Sequence, residues 1–254
     1  MNCDGKSRYI LKSYSAYSLI VKNNWAWVTS RLWLLIPFLA IPVLWPFYGE
    51  GLPRSNDGGL HLLRVALLDF HLHHDTLYPR WVPEMLVGYG YPVFNFYAPS
   101  TYYLAEVLHW LGFSFYNAFM LSFALLILAA GFGMWLFALD SFGAERKWSA
   151  LVAATAYLYA PYLFMNVFIS GALAATGAQA LLPWIFWSVR RLLYAKQPAF
   201  YVLPVAFTVG GLAVTHNLTL LFLPPLLLVY IPLIWWRVGR QWRTLGWAPP
   251  ATGW

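Results

Sequence analysis

The chain of 254 residues is 61% hydrophobic and only 10% charged, whereas soluble domains carry roughly 25% charged residues. This composition excludes a soluble domain and predicts a polytopic membrane protein. The formal net charge of +7 does not indicate nucleic acid binding, because the basic residues lie in short clusters beside apolar spans, as in loops held on the cytoplasmic side of a membrane. The single cysteine, Cys3, excludes a disulfide framework and a cysteine zinc cluster.

Six apolar spans are predicted, each near the roughly 20 residues that cross a bilayer. A basic segment, residues 1–31, precedes the first span and lacks the pattern of a cleaved signal peptide. Two long uncharged stretches each fit two helices, because a polar turn divides each of them, at residues 166–171 and 215–217. The predicted spans are residues 32–48 and 113–139, two within 148–189, and two within 197–236.

The basic residues predict the orientation of these spans. With a cytoplasmic N-terminus, 13 of the 16 Lys and Arg residues lie in inside segments, and only Arg54, Arg64 and Arg80 lie outside. The fold class is therefore an all-α, polytopic transmembrane helix bundle, residues 32–236, with a large extracytoplasmic first loop, residues 49–112. Residues 237–254 form a basic cytoplasmic segment without a closing helix. We expect the chain to be the front part of a longer protein, with a short natural variant as the alternative.

The first loop gathers the titratable groups. Five of the six histidines and six of the nine acidic residues lie within residues 49–112, so we expect the protein to work there. The turn sequence Asn56-Asp57-Gly58-Gly59 leads into a helical pattern that runs to about His74. We expect this amphipathic helix to lie along the outer membrane surface. At 100° per residue, its polar stripe consists of Asp57, His61, Arg64, His71 and Asp75.

Asp57 has two interpretations that are compatible. It is a candidate N-cap of the helix, and it is a candidate base at the mouth of a membrane-facing cavity. Asp57 with His61, and Asp69 with His73, have the i, i+4 spacing that suits a divalent metal. The same spacing is common on solvated helix faces, so a possible divalent metal at Asp57 and His61 stays one of two alternatives. No other cofactor is indicated.

Residues 78–99 are rich in aromatic residues, proline and glycine, which exclude a long helix. The aromatic side chains predict either an interfacial belt or a rigid wall for a sugar or lipid head group. Arg80 is a candidate phosphate ligand, because its guanidinium offers forked donors. The candidate wall residues are Trp81, Tyr91, Phe96 and Tyr97.

Two further candidates lie outside these segments. A helix is predicted over residues 100–110, and there Glu106 shares a face with Tyr102 and His109. Two interpretations of Glu106 stay open: a second carboxylate that returns towards Asp57, or a surface residue. The polar turn at 215–217 contributes His216, which the predicted topology places on the same side of the membrane as the histidine-rich loop.

Three motifs resemble those of a known family: N-D-G-x-x-H-x-x-R at 56–64, L-Y-P-R-W-x-P at 77–83, and G-Y-G-Y-P-x-F-x-F-Y-x-P at 88–99. The chain resembles bacterial polytopic proteins described as 6-pyruvoyl-tetrahydropterin synthase-related membrane proteins, which are similar to the GT-C glycosyltransferases. Nothing in it resembles a soluble pterin enzyme. The turn Ser170-Gly-Ala-Leu-Ala-Ala175 departs from the family pattern R-G-A-L-A-E at Ser170 and Ala175, which puts a catalytic role of that turn in doubt.

The resemblance implies a transferase that moves a sugar from a polyprenyl-phosphate donor to an acceptor on the extracytoplasmic side of the bacterial plasma (inner) membrane. GT-C enzymes keep an essential acidic residue early in the first outer loop, and Asp57 matches that position. A phosphate departs as a stable anion, so one base and cationic assistance suffice. Asp57 is then the base. The implied substrate-binding residues are His61, Arg64, Arg80, Trp81, Tyr91, Phe96, Tyr97, Glu106 and His216.

Two other function classes stay open. The first is a non-catalytic membrane protein that binds polyprenyl lipid or a protein partner, which the changes at Ser170 and Ala175 favour. The second is a transporter or flippase. Transporters place ionisable groups within their spans near the bilayer midplane, and the predicted spans contain no charge, which counts against this class.

Overall fold

A computed structural model of the chain describes residues 31–49, 54–195 and 197–238. Within these ranges the fold is all-α, and the only β pairing is an isolated antiparallel bridge between Val82 and Tyr91. The basic segments predicted at 1–31 and 237–254 lie outside the described residues, apart from Arg31 and the end of the last helix. The predicted fold class is therefore confirmed for the part of the chain that is described.

The helices follow one another in chain order. α1 (Leu35–Leu44) is flanked by the 3-10 turns Arg31–Leu34 and Trp45–Tyr48. The first loop contains α2 (Gly58–His73), the single turn Val93–Phe96 and α3 (Ser100–Trp110). The remaining helices are α4 (Phe115–Phe142), α5 (Lys147–Leu158), α6 (Leu173–Tyr194), α7 (Ala199–Ala213) and α8 (Asn217–Val238). Between α5 and α6 lie the turn Pro161–Phe164 and the π-helical segment Met165–Ser170.

Four helical stretches among the described residues are long and apolar enough to cross a membrane. They are Arg31–Tyr48, Phe115–Phe142, Lys147–Ser170 and Asn217–Trp236. Helices α6 and α7 occupy the two other predicted positions, α6 ending in a basic turn and α7 being apolar but 15 residues long. Both predicted breaks are present, because Gly171 ends the π-helical segment and α7 ends before His216. The chain is a helical membrane protein.

Small residues allow the helices to approach closely, as is usual in membrane bundles. Helices α4 and α6 form an extensive pair, and the indole N–H of Trp184 donates to the carbonyl oxygen of Ala129 at 2.9 Å. A Cβ atom at Gly133 would lie 2.5 Å from the indole nitrogen of Trp184. The glycine therefore leaves the room in which α6 hydrogen-bonds to the backbone of α4.

The buried core lies between α1, α2, α3, α4 and α5. Its largest fully buried side chains include Phe119, Phe123 and Trp135. A second, smaller cluster joins α6, α7 and α8. The outward faces of α7 and α8 are apolar and exposed, as lipid-facing surfaces are; they carry Phe200, Leu203, Phe207, Leu218, Leu221, Phe222, Leu226, Leu228 and Leu233.

The two ends of the bundle differ in chemistry. At one end Asp140 of α4 pairs with two cations of α6, with Arg190 Nε at 3.0 Å and Arg191 Nη2 at 2.7 Å. Both helices run past the predicted boundaries at 139 and 189, so these charges lie at helix ends rather than in loops. The other end gathers α2, α3 and the turns before α6 and α8. All segments predicted to share the outer side therefore meet there.

We expect Asp140→Asn to lower the midpoint of thermal unfolding in detergent micelles. The substitution deprives Arg190 and Arg191 of their carboxylate, and loss of one partner of a largely buried ion pair costs about 3 kcal/mol. Glu145→Gln is the matched control, because Glu145 is exposed near the same end of the bundle. An equal shift in the two variants would contradict a structural role for this ion pair.

Candidate functional site

Two residues of the predicted polar stripe, His61 and Arg64, pack inward against α3, whereas Asp57 and Asp75 at its ends are exposed. His61 and Arg64 are only 6% and 4% exposed, whereas Leu63 and Phe70 on the other side are 49% and 46% exposed. An exposed apolar side is what a helix that contacts the membrane surface requires. The buried polar residues of α2 therefore form a polar site between α2 and α3.

The hydroxyl of Tyr102 is the centre of this site. Its oxygen lies 2.7 Å from Nδ1 of His61 and 3.2 Å from Nη1 of Arg64, which donates to it. The hydroxyl oxygen accepts from Arg64, and the direction of its hydrogen bond with Nδ1 of His61 depends on the tautomer of the neutral ring. Helical spacing predicted that Tyr102 and Glu106 share one face of α3. It contained no signal for the contacts with His61 and Arg64, because these depend on how α2 and α3 pack.

His61 is uncharged in this environment. Burial first and the Arg64 guanidinium second, opposed by the nearby Asp57 carboxylate, lower its pKa to about 4. A neutral His61 is compatible with a neighbouring guanidinium, whereas an imidazolium would be repelled by it. The only positive charge of this polar group is therefore that of Arg64.

Arg64 is a buried cation. Its guanidinium carbon lies 4.1 Å from the centre of the Tyr97 ring, and its Nε is buried without a hydrogen-bond partner. Among the residues that the structure describes, no carboxylate forms an ion pair with it. Burying an uncompensated charge is costly, and an anionic ligand would relieve that cost.

Asp57 occupies the N-cap position of α2, but its side chain makes no capping hydrogen bond. The predicted position is therefore right, and the carboxylate is not used to satisfy the first turn of the helix. Asp57 is exposed at the edge of the site. Its backbone N–H donates to the carbonyl oxygen of Ser170 at 2.9 Å, so the loop that carries Asp57 docks on the turn before α6.

Glu106 lies in a second polar cluster, beside Asp69 and His73, rather than returning to Asp57 or lying at the surface. It is 1% exposed, and burial first and the Asp69 carboxyl second raise its pKa to about 8. Nδ1 of His73 lies 3.1 Å from Oδ1 of Asp69. Glu106 is therefore protonated at neutral pH and separate from the Arg64 site.

The aromatic segment contributes unequally. Tyr97 covers Arg64, and the carbonyl oxygen of Phe96 accepts a hydrogen bond from Nδ2 of Asn217 at 3.3 Å. Tyr91 belongs to the bridge with Val82, and the Trp81 indole packs on Gly90, where a Cβ atom would lie 2.4 Å from it. These contacts give the segment a defined shape.

Arg80, the other candidate phosphate ligand, is exposed. Its guanidinium carbon lies 5.7 Å from the centre of the Tyr78 ring. An exposed cation is screened by water, so Arg64 is the stronger candidate for holding an anion.

His216 has a structural use. Its Nδ1 accepts from the backbone N–H of Thr219 at 3.2 Å and lies 2.8 Å from the Thr219 hydroxyl. The ring therefore caps the start of α8, in the role that Ser or Asp usually fills. Burial lowers its pKa. The sequence suggested a site residue here and missed the cap.

The residues present do not fit a divalent metal. Within the described ranges no three His, Cys, Asp or Glu side chains are placed to hold a metal ion. Asp57 and His61 were the predicted metal ligands. Nδ1 of His61 is engaged in a hydrogen bond with the Tyr102 hydroxyl, and the Arg64 guanidinium lies beside the ring. The chemistry of this site is therefore derived from the protein side chains alone.

A cavity of about 230 Å³ lies between α3, α4, α6 and α7. Its lining is almost entirely apolar, with the hydroxyls of Ser100, Thr101 and Thr215 as the polar exceptions. Ser100 and Thr215 hydrogen-bond to each other at 2.7 Å. Thr101, which precedes Tyr102 in α3, is buried and its hydroxyl has no partner. An apolar cavity thus adjoins the helix that carries the centre of the polar site.

The fold and the site define a polytopic helical membrane protein whose first loop encloses a buried, unpaired cation. Residues 94–246, three fifths of the chain, match the model of the 6-pyruvoyl-tetrahydropterin synthase related domain, a membrane protein family. The chain belongs to this family. The match begins at Phe94, so α2 and Asp57 lie before it.

An uncharacterized protein of Lactococcus lactis subsp. cremoris (strain MG1363) is 24% identical over 205 residues, which are 79% of this chain and 33% of that protein. The chain thus spans about a third of the length of this relative. No solved structure matches the chain.

We expect Glu106→Gln to remove a pH dependence of stability. The folded protein holds the Glu106 proton up to about pH 8, whereas the ordinary pKa is 4.5. The native state therefore binds more protons between these values, and stability falls as the pH rises through this window. Thermal unfolding followed from pH 5 to about 8 should show a falling midpoint for the wild type and a flatter profile for the variant. Equal slopes would show that Glu106 is not protonated in the folded protein.

Proposed function

We propose that the protein is a membrane glycosyltransferase that moves a sugar from a polyprenyl-phosphate donor to an acceptor hydroxyl. The observation that carries the proposal is the Arg64 guanidinium, 4% exposed and without a carboxylate partner among the described residues. A buried cation of this kind suits a phosphate, because guanidinium and phosphate form short, charge-assisted hydrogen bonds.

The reaction needs one base and one cation. Asp57 accepts the proton of the acceptor hydroxyl, and the acceptor oxygen forms a bond to the anomeric carbon of the sugar. The bond between that carbon and the phosphate oxygen breaks, and the electron pair leaves with the phosphate. Arg64 stabilises the charge of the departing phosphate. A phosphate leaving group takes no proton, so no general acid is required.

The neighbours of Arg64 hold it for this task. Tyr102 accepts one of its N–H groups, and Tyr97 stacks on its plane. Both contacts fix the guanidinium without neutralising it. The neutral state of His61 adds no competing charge. Preorganised charge in a site with little water stabilises a developing anion more strongly than an exposed side chain does.

The lipid part of the donor is supported by the surroundings of the site. The apolar cavity beside α3 and the exposed apolar faces of α2 suit a hydrocarbon chain and the bilayer surface. The excess of basic residues at the opposite end, with a cytoplasmic N-terminus, supports an extracytoplasmic site. In a bacterium this location is the plasma (inner) membrane.

A second candidate is binding of polyprenyl lipid, or of a protein partner, without transfer. The cation and the apolar cavity would serve binding equally well, and Glu106 lies away from Asp57 beside Asp69. A transporter is less well supported. Asp140, Arg190 and Arg191 pair with one another at helix ends, and Arg31 and Lys147 are the first residues of their spans, whereas transporters use charges near the midplane.

We expect Asp57→Asn to reduce sugar transfer from a polyprenyl-phosphate donor by about 10²-fold or more, because it removes the base. Binding of the lipid phosphate should be unchanged, since Asp57 does not hold the phosphate. Transfer of radiolabelled sugar and lipid-phosphate binding are measured in parallel on the purified protein in nanodiscs. Transfer at the wild-type rate would eliminate Asp57 as the base. A wild-type protein that binds the lipid but transfers nothing would favour the second candidate.

We expect Arg64→Gln to weaken binding of polyprenyl phosphate by about tenfold or more, because a charge-assisted hydrogen bond contributes roughly 1.5–3 kcal/mol. Arg64→Lys should recover only part of the binding, since Lys keeps the charge but loses the planar contact with Tyr97. Arg54→Gln is the matched control, an exposed arginine that precedes α2. If the Arg54 and Arg64 variants lost the same affinity for polyprenyl phosphate, general surface charge would explain the binding and Arg64 would not be a specific site.

A further inference from the structure

A segment distant in sequence holds the backbone of Asp57. The N–H of Asn56 donates to the carbonyl oxygen of Ile169 at 2.8 Å, and the N–H of Asp57 donates to that of Ser170 at 2.9 Å. The last carbonyl groups of a helix have no partner within it. Two of these groups, at the end of the π-helical segment before α6, are satisfied by the first loop.

Two glycines permit this close approach. Gly171 has a φ of +66°, in the left-handed region that favours glycine. A Cβ atom at Gly171 would lie 2.8 Å from both N and Cα of Gly58 and 2.6 Å from Oγ of Ser55. Backbone atoms cannot rotate away as a side chain can. A side chain at position 171 would therefore push the start of α2 away from the turn.

The turn itself is firmly closed. Its π-helical residues are Met165–Ser170, and π-helical turns are rare and frequent at functional sites. The carbonyl oxygen of Asn166 accepts from the N–H of Ala172 at 2.8 Å and also from that of Gly171. Asn166 is buried. The two carbonyl groups that receive the first loop are thus offered by a rigid support.

We propose that residues 165–171, the docking turn, are the positioning element of Asp57, and that Gly171 is its essential residue. The inference rests on the proposed role of Asp57 as the base. Because the Asp57 side chain makes no capping bond, the docking turn acts on Asp57 through the main chain, by fixing where its Cα atom lies and hence where its carboxylate can reach. The turn acts through the carbonyl groups of Ile169 and Ser170, so glycine is required at 171 while the side chain at 170 is not.

The test compares Gly171→Ala with Gly112→Ala in the full chain in nanodiscs. Gly112 also has a positive φ, +100°, but a Cβ atom there meets nothing within 4 Å, so it reproduces the backbone strain without the contact. In Gly171→Ala, amide hydrogen exchange of the peptide covering residues 54–60 should accelerate about tenfold, as local opening predicts. The kcat for sugar transfer should fall about 10²-fold, because a small displacement of a reacting group costs about that much in rate. The KM for the donor should be unchanged, because Arg64 is unaffected.

A milder pair of variants keeps the test decisive if Gly171→Ala does not fold. A Cβ atom at Gly58 would lie 2.4 Å from Oγ of Ser55, with no other atom within 3 Å. The Ser55 hydroxyl can rotate partly out of the way, so Gly58→Ala should raise exchange and lower kcat by less than Gly171→Ala does, and the double variant with Ser55→Ala should restore both.

Three results distinguish the role of the docking turn from the proposed transferase function. Unchanged exchange in Gly171→Ala would overturn the docking of the loop, and faster exchange with an unchanged kcat would overturn its positioning role. A wild type that transfers no sugar would contradict the proposed function and, with it, the role of Asp57 that the turn serves. In that case the exchange data alone still decide whether the turn holds this backbone.

Discussion

The burial of the Arg64 guanidinium between α2 and α3 is the constraint on which the outer end of the molecule depends. A guanidinium removed from water must be held by polar groups or aromatic faces, and Tyr102 and Tyr97 supply both. Because these partners lie on α3 and on the aromatic segment before it, α2 turns the side that carries His61 and Arg64 inward. Leu60, Leu63 and Phe70 are left exposed on its other side.

Docking through main-chain atoms explains how the first loop tolerates change in the turn before α6. The first loop uses the carbonyl groups of Ile169 and Ser170, which any residue provides, and it uses the absence of a side chain at Gly171. The departure at Ser170 from the arginine of the related pattern therefore leaves this contact intact. The departure leaves no cationic side chain at position 170, where the related pattern has an arginine.

The sequence predicted the helices well and the site only in part. Apolar length and polar breaks gave all six helical positions and both turns, because these signals are local. The contacts of Tyr102, the cap made by His216 and the pairing of Glu106 with Asp69 depend on which helix faces which, and periodicity along a single helix does not contain that information. The predicted second span ended at residue 139, before Asp140, because only apolar length was used to define it. In the structure α4 continues past residue 139, and Asp140 forms its ion pairs with α6 there.

The two polar clusters between α2 and α3 are coupled by their protonation. On α3, Glu106 lies one helical turn beyond Tyr102, which binds Arg64. An ionised Glu106 would place a negative charge on the order of 6 Å further along the same interface and would offset the positive potential of Arg64. Burial raises the Glu106 pKa to about 8 and keeps the group neutral at pH 7. The costly burial of this carboxyl group thus adds no negative charge to the interface that holds the Arg64 cation.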